Sequence, residues 1–250
     1  METLVRTEGQ RNVQILSDLE AISHEAAFLF VNASRNSIAG RTKFAVAISG
    51  GSTPRRLYTL LSSSPYCDQV DWQKIHFFWA DERCVSKEDE ASNFKTVFDR
   101  LLSKVPVPDG HIHRIKGEED PEKAARDYEA DIREFFGTSG MPVFDLVLLG
   151  MGEEGHTASL FPGSKWLEET ARLAVAVYLD KPNRNRITLT LPVLNNAAQI
   201  LFLVAGSSKA AVLSEILSDK EKKKEFPAGR IRPVQGKVTW LIDQEAAGRV

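Results

Sequence analysis

The sequence predicts an α/β protein with a layered, mostly parallel sheet flanked by helices. Short apolar runs of strand length alternate with longer segments of helical periodicity, which is the pattern of parallel strands joined by crossover helices. Several runs are apolar throughout, as in strands buried on both faces. Glycine-rich or charged turns follow several of these runs directly, and ligands of parallel sheets bind at such strand ends.

The individual elements are predicted from local patterns. Residues 17–38 carry apolar positions at helical spacing and predict a long amphipathic helix. Pro54 is expected at the first position of the next helix, and residues 120–122 (Asp-Pro-Glu) are a typical helix start. Further helices are predicted near 92–104, at 121–136 and from Lys209, and strands at 43–49, 74–80, 143–149, 173–179, 186–191, 199–205 and 238–242.

Size and composition indicate one globular unit. With 250 residues and 42% hydrophobic content, the chain can bury a large core. We expect a single domain over residues 1–250, since no internal repeat or long Gly/Ser linker divides it. Residues 219–233, charged at first and then rich in proline and glycine, are expected to form a long surface loop. Whether this loop closes over a ligand is left open, as is the oligomeric state.

Charge and cysteine content limit the partners and the compartment. The net charge of −2 and pI near 6.2 provide no general attraction to nucleic acid or to an anionic membrane, so local basic residues must hold any anionic ligand. Cys67 and Cys84 are too few for a disulfide framework. No apolar targeting segment or membrane-spanning run is found. A soluble, cytoplasmic protein without nucleic-acid or membrane partners is therefore expected.

Residues 150–163 form the most informative stretch. They follow the apolar run 144–149, and their glycines permit a sharp turn that comes close to a ligand. Glu154 and His156 lie within this turn. Because the pKa of histidine is nearest neutrality, His156 is a candidate general base, although a solvent-facing imidazole on a structural turn would have the same local sequence.

Other strand ends predict an anion-binding cleft. The turn at 49–54 leads into a helix N-terminus, whose free N–H groups favour a phosphate. It lacks both the GxGxxG pattern and the P-loop lysine, so nucleotide binding is not supported. The candidate ligand-binding residues of this turn are Ser49, Gly50, Gly51, Ser52 and Thr53.

Further candidates are Asp81 and Arg83 after the next strand, Arg186 at the start of another, and Lys209 in a first helical turn. A guanidinium can fork onto phosphate oxygens, although Arg83 could equally pair with its acidic neighbours. A lysine at a helix start opposes the macrodipole, and a bound anion would explain it. His111 and His113 have a spacing sometimes seen in metal ligands, but no matching cysteine or carboxylate accompanies them, so no metal site is predicted.

Taken in order, these segments resemble the 6-phosphogluconolactonases of the pentose phosphate pathway, within a superfamily that includes the glucosamine-6-phosphate deaminase/isomerases. The resemblance is carried by residues 48–54, 79–83, 92–94, 148–163, 186–190 and 205–209. Glu154 departs from the pattern, because many members carry aspartate at that position.

The resemblance implies a Rossmann-like sugar-phosphate isomerase/lactonase fold and hydrolysis of 6-phospho-D-glucono-1,5-lactone to 6-phosphogluconate, without metal or organic cofactor. His156 matches the proposed general base, and Arg83 matches a residue that contacts the substrate phosphate. In the related deaminases, the turn hydroxyls and residues matching Arg186 and Lys209 hold the phosphate. The proton donor to the leaving ring oxygen is left open between Glu154, protonated His156 and solvent.

Two alternatives follow from the same resemblance. A deaminase/isomerase would use Asp81 as its base, but residues 157–162 lack the glutamate that orients the histidine in those enzymes. A non-catalytic sugar-phosphate sensor would carry a helix-turn-helix domain ahead of this fold. Here the first predicted strand is preceded mostly by one helix, and the chain is not basic.

Overall fold

The computed structural model describes residues 4–179, 185–218 and 225–248. Residues 219–224 of the predicted surface loop lie outside these ranges. The strands are β1 (Leu4–Glu8), β2 (Arg11–Leu16), β3 (Phe44–Ile48), β4 (Ile75–Trp79), β5 (Asp81–Arg83), β6 (Ile112–His113), β7 (Leu146–Leu149), β8 (Ala174–Val177), β9 (Arg186–Leu189), β10 (Gln199–Val204) and β11 (Lys237–Asp243). The α-helices are α1 (Leu19–Arg41), α2 (Arg55–Leu61), α3 (Asn93–Arg100), α4 (Pro121–Phe136), α5 (Leu191–Asn195), α6 (Ala210–Leu217) and α7 (Gln244–Ala247).

Within the described residues, eight strands form the central sheet in the order β1-β2-β11-β10-β7-β3-β4-β6. The pairs from β2 to β6 are parallel, whereas β1 at the edge is antiparallel to β2. The predicted mostly parallel α/β sheet is thereby confirmed. Strands β3 and β7 are buried at every position, as expected for strands covered on both faces.

The topology places a crevice between β3 and β7. After β3 the chain continues to β4 on one side, and after β7 it continues to β10 on the other. This is a topological switch point, and ligands of open α/β sheets bind outside the carboxyl ends of the strands at such a point. The two turns that the sequence predicts as functional, 49–54 and 150–163, follow these two strands directly.

A second sheet of three antiparallel strands, β5-β9-β8, lies beside the first. Residues 173–179 and 186–191 do contain strands, β8 and β9, but β8 pairs with β9 and β9 pairs with β5, not with the main sheet. The chain leaves the main sheet after β4, because the Ala80 N–H donates to Ile48 at 2.7 Å while the Ala80 carbonyl accepts from Leu189 at 2.8 Å. This link holds the small sheet at the carboxyl edge of the large one.

Local capping explains the bounds of the longer helices. Asp18 accepts from the Ala21 N–H at the start of α1, and Asp120 accepts from the Lys123 N–H at the start of α4. Helix α4 ends at Gly137, whose φ of +59° is the left-handed conformation typical of a helix end. Pro54 lies one position before α2 and not at its first residue, a difference within the usual uncertainty of helix ends.

The prediction of a surface loop at 219–233 is wrong for part of the segment. Pro227, Ala228 and Gly229 are buried in a short 3₁₀ turn, and Ile231 belongs to the hydrophobic core. Apolar side chains beyond the charged run explain this burial. Within the described ranges, no helix has both the length and the apolar character needed to cross a membrane.

Candidate active site

A cleft of about 390 Å³ opens at the carboxyl edge of the sheet, next to the crevice between β3 and β7. Every site residue proposed from the sequence lines it: Ser49, Gly50, Gly51, Ser52, Thr53, Asp81, Arg83, Glu154, His156, Arg186 and Lys209. These residues come from distant parts of the chain. The parallel sheet brings residues 49–53, Glu154, His156 and Lys209 to one edge, and the antiparallel pair β5–β9 adds Asp81, Arg83 and Arg186. Their individual roles remain predictions.

The turn that carries His156 is closed by its own backbone. The Gly152 N–H donates to the His156 carbonyl at 2.9 Å, and the Gly155 N–H donates to the Gly152 carbonyl at 3.0 Å. A Cβ on Gly152 would overlap the His156 ring. Glycine at this position therefore allows the imidazole to fold back over the turn and line the cleft.

The imidazole of His156 lies between a carboxylate and an aromatic ring. Its Nδ1 is 3.1 Å from Oε1 of Glu154, within ion-pair distance although not aligned as a good hydrogen bond; catalytic contacts in unliganded sites are often poorly aligned. The Phe161 ring lies 4.7 Å from the imidazole, centroid to centroid. A carboxylate beside Nδ1 favours the tautomer with the proton on that nitrogen, which leaves Nε2 able to accept a proton.

The pKa of Glu154 reflects opposing influences. Burial raises it, but the residue's own backbone N–H and the neighbouring His156 outweigh burial, so the net shift of the pKa is downward. Glu154 is therefore a carboxylate at neutral pH. In that form it stabilises a positive charge on the imidazole and is a poor proton donor.

Asp81 connects three segments of the cleft wall and is only 7% exposed. Its Oδ2 accepts from Ser159 Oγ at 2.6 Å, and its Oδ1 accepts from Asn93 Nδ2 at 3.2 Å. The Asn93 side chain also packs against Gly50, where any Cβ would overlap it. Asp81 thus ties the small sheet to the turn after His156 and to the start of α3.

Glu82 does not line the cleft and instead stabilises the start of α3. Its carboxylate accepts from the backbone N–H groups of Asn93 and Phe94, both at 2.7 Å, and so caps α3. Burial raises the pKa of Glu82, while these backbone hydrogen bonds act in the opposite direction. The Arg83 guanidinium donates to the Ala91 carbonyl, and within the described residues no carboxylate lies within 4.0 Å of it. The ion pair between Arg83 and its acidic neighbours is therefore not formed.

The turn at 49–54 lines the cleft mainly with backbone groups and less with side chains. The Ser49 hydroxyl donates to the Leu148 carbonyl at 2.8 Å, and the Ser49 carbonyl accepts from Tyr58 Oη at 2.5 Å. Gly51 has a φ of +94°, a conformation that favours glycine. Ser49 therefore holds the turn against β7, and its hydroxyl is available to a ligand only as an acceptor.

Lys209 is the last residue of a 3₁₀ turn and directly precedes α6. This position agrees with the prediction that a helix begins there. The turn begins at Gly206, whose φ is +96° and whose N–H is held by the Asp243 carboxylate at 3.0 Å. In the part of the chain that the structure describes, no carboxylate forms an ion pair with Lys209. Lys209 lines the same cleft as Arg83 and Arg186.

Several other lining residues were not named as site candidates from the sequence: Pro54, Asn93, Gly150, Met151, Gly152, Ala158, Ser159, Phe161 and Leu179. Most belong to segments that carry the family resemblance, and that resemblance is the sequence feature from which they could have been predicted. No local signal marks Leu179, which reaches the cleft only because β8 pairs with β9.

His111 and His113 lie away from the cleft. His113 Nδ1 is 2.9 Å from Asp131 and its Nε2 is 3.2 Å from His76, whose ring stacks on that of His111. Within the described ranges, no group of three or more His, Cys, Asp or Glu side chains is arranged to hold a metal ion.

The fold and the cleft define an α/β protein with a cleft at the carboxyl edge of its sheet that is lined by a histidine and three basic side chains. A family model described as "Glucosamine-6-phosphate isomerases/6-phosphogluconolactonase" matches residues 17–240. The 6-phosphogluconolactonase of Synechocystis sp. is 37% identical over 237 residues, which cover 94% of this chain and 96% of that protein. The chloroplastic 6-phosphogluconolactonase 3 of Arabidopsis thaliana is 36% identical over 257 residues, covering 99% of this chain and 78% of that protein.

Among solved structures, the 6-phosphogluconolactonase from Trypanosoma cruzi is similar with a TM-score of 0.85 at 29% identity, covering 95% of this chain and 96% of that chain. The chain belongs to the glucosamine-6-phosphate isomerase/6-phosphogluconolactonase family.

Proposed function

We propose that this protein hydrolyses 6-phospho-D-glucono-1,5-lactone to 6-phospho-D-gluconate, a step of the oxidative pentose phosphate pathway, with His156 as general base. One observation carries the proposal: the imidazole of His156 lines the same cleft as Arg83, Arg186 and Lys209. A base and a set of cations around one cleft are what a phosphorylated, hydrolysable substrate requires. Two relatives that match nearly the whole chain are 6-phosphogluconolactonases.

The cations supply a phosphate site. Arg83 and Lys209 have no carboxylate partner among the described residues, and Arg186 faces Arg83 across the small sheet. The turn at 49–54 adds backbone N–H groups next to the start of α2, and such groups favour an anion. A phosphate held there fixes the lactone ring relative to His156, and such positioning accounts for a large part of many enzymatic rate enhancements.

The chemistry requires one proton acceptor and one proton donor. His156 Nε2 takes a proton from water as the hydroxide adds to the lactone carbonyl carbon, which forms a tetrahedral oxyanion. The bond from that carbon to the ring oxygen then breaks, and the ring oxygen takes up a proton from the imidazolium or from solvent. Glu154 stabilises the imidazolium, because its lowered pKa keeps it ionised.

The deaminase alternative would assign the proton transfer to Asp81. Both oxygens of that carboxylate already accept hydrogen bonds, from Ser159 and from Asn93. Residues 157–162 contain no carboxylate that could orient the histidine. These features favour hydrolysis over isomerisation and give Asp81 a positioning role. The non-catalytic sensor is disfavoured by the base-and-carboxylate pair in the cleft.

The proposal is tested by generating the lactone in situ, following its disappearance by ³¹P NMR and subtracting spontaneous hydrolysis. We expect the purified protein to accelerate hydrolysis, and to do so equally well after treatment with a chelator. A rate equal to that of buffer would refute the proposal, and loss of activity with the chelator would refute metal-free catalysis. Release of ammonia from glucosamine 6-phosphate would support the deaminase instead. The cytoplasmic location and the lack of a nucleic-acid partner stay predictions.

A further inference from the structure

Residues 226–234, here called the strap, lie directly against the turn that carries His156. A Cβ on Gly155 would lie 2.6 Å from the ring of Phe226, so this ring occupies the space where a side chain would stand. The Ala228 N–H donates to the Gly155 carbonyl at 3.0 Å. Gly155 has a φ of +81°. The strap therefore contacts the turn through a ring and a hydrogen bond at the residue next to His156.

The strap is itself held in place at several points. Asn195, at the end of α5, accepts from the Arg232 N–H at 2.7 Å and donates to the Arg230 carbonyl at 3.1 Å. The Arg230 guanidinium pairs with Glu168 at 2.6 Å. Ala228 and Ile231 are buried in the core. Phe226 therefore belongs to a segment that is held in place by hydrogen bonds and burial, and its ring packs against the turn at Gly155.

The two sides of the turn are supported differently. On the side after His156, Ser159 bonds Asp81 outside the turn, and Thr157 Oγ1 donates to the Gly150 carbonyl at 2.9 Å within it. On the side before His156, Met151 is buried in the core, whereas the N–H groups of Gly152 and Gly155 donate within the turn. The strap supplies the contact at Gly155 itself, the residue next to His156.

We propose that Phe226 is a positioning residue for His156: its ring, packed on Gly155, holds the turn so that the imidazole faces the cleft. The inference rests on the proposed function, in which His156 is the general base. Removing the ring leaves space into which Gly155 relaxes, and the imidazole moves with it. A displacement of about 1 Å at a reacting group costs roughly a hundredfold in rate.

The test compares Phe226→Ala, Phe226→Leu and Phe30→Leu. Phe30 is a buried residue of α1 that packs on Phe44 at the start of β3. It lies outside the strap and does not line the cleft, so its truncation controls for loss of core packing. For each variant, kcat, KM, the pH profile of kcat and Tm are measured. Histidine-labelled protein is studied by NMR, with the His156 signal assigned from the spectrum of His156→Asn.

We expect Phe226→Ala to lower kcat by about ten- to a hundredfold, with a smaller change in KM, and to shift or broaden the His156 signal. Phe226→Leu should recover most of kcat. Phe30→Leu should lower Tm while keeping kcat and the His156 signal. If Phe226→Ala does not fold, Phe226→Val, which also removes the ring from Gly155, is compared with Phe30→Leu, and a shifted His156 signal in the valine variant alone supports the proposal.

Unchanged kcat and an unmoved His156 signal in Phe226→Ala, or in Phe226→Val where the alanine variant does not fold, would overturn the inference. So would losses of kcat that follow Tm equally in the Phe226 variants and in Phe30→Leu. If the wild-type protein lacks lactonase activity, the proposed function fails, and the His156 signal then tests the positioning role alone: movement in Phe226→Ala or Phe226→Val and not in Phe30→Leu supports it, and no movement overturns it.

Discussion

Arg83 and Arg186 lie directly opposite each other across the antiparallel pair β5–β9. Residues opposed in this way share one face of the sheet, where like charges destabilise the pair. Both side chains line the cleft. An anion bound beside both guanidinium groups removes this repulsion, and we propose that the substrate phosphate is that anion.

Substitution of Arg83, Arg186 or Lys209 by alanine should raise KM for the phosphorylated lactone. A lost hydrogen bond to a charged group is worth roughly 1.5–3 kcal/mol, which corresponds to about ten- to a hundredfold in kcat/KM. Hydrolysis of unphosphorylated gluconolactone should barely change, because that substrate has no phosphate to contact these residues. Steady-state kinetics with both lactones measure the difference.

The matched control is Lys123→Ala, a lysine on the exposed face of α4 that pairs with Glu119 and Asp127. It should alter neither substrate's kinetics. Equal effects of the three cleft variants on both lactones, accompanied by loss of stability, would instead assign these cations to the structure of the protein.

His156→Asn should abolish most turnover, since removing a general base typically costs on the order of 10²–10⁴ in rate. Affinity for 6-phosphogluconate should persist, because the cations remain in place, and calorimetry measures it. The control is His24→Asn, the same substitution at an exposed histidine that does not line the cleft. This variant should keep full activity. Near-normal kcat in His156→Asn would show that another group is the base.

Much of the fold could be predicted where local signals coincide. The bounds of α4 match the predicted 121–136, because an aspartate cap, a following proline and a terminal glycine mark both ends. The hairpin β1–β2 was not predicted, since its residues alternate weakly and are mostly polar. Strand β5 consists of three charged residues, and only its pairing with β9 makes it a strand. Such pairing is a long-range property that no local pattern contains.

The residues of the candidate site could be predicted from the sequence for a different reason. Most predicted residues follow an apolar run, and a parallel sheet brings the carboxyl ends of its strands to one edge. Arg186 instead begins β9, and the antiparallel pairing of β9 with β5 places it opposite Arg83. The hydrogen bonds among these residues could not be predicted from the sequence. That Asp81 would be held by Ser159 and Asn93, and Ser49 by Leu148, depends on side-chain geometry. The support of Gly155 by Phe226 likewise joins segments that share no sequence pattern.

Gly152→Ala should lower kcat by about a hundredfold while leaving the fold intact. The added Cβ would overlap the His156 ring and lie 2.8 Å from Oε2 of Glu154, so both side chains must move. The comparison is Gly110→Ala, where a Cβ meets nothing within 4 Å, and which should keep full activity. Kinetics and circular dichroism separate loss of positioning from loss of fold. Normal kcat in Gly152→Ala would mean that the orientation of His156 seen here is not the catalytic one.

Stability should depend on pH through His76. Its pKa is lowered from 6.5 to about 4, first by burial and then by the neighbouring His111, His113 and Lys43. Asp131 faces the same cluster but contacts His113. The unfolded chain therefore binds a proton between pH 6.5 and 4 that the folded chain does not bind, and stability must fall as the pH falls through this range.

His76→Gln removes this titrating group, so its Tm should fall less than that of the wild type between pH 6.5 and 4. For a chain of this size, roughly 2–4 °C corresponds to about 1 kcal/mol, which thermal unfolding followed by circular dichroism resolves. The control His24→Gln changes an exposed histidine beside Glu20, and its Tm should fall with pH as the wild type does. Parallel Tm profiles for all three proteins would contradict the assignment, because the acid lability would then arise from groups outside the His76 cluster.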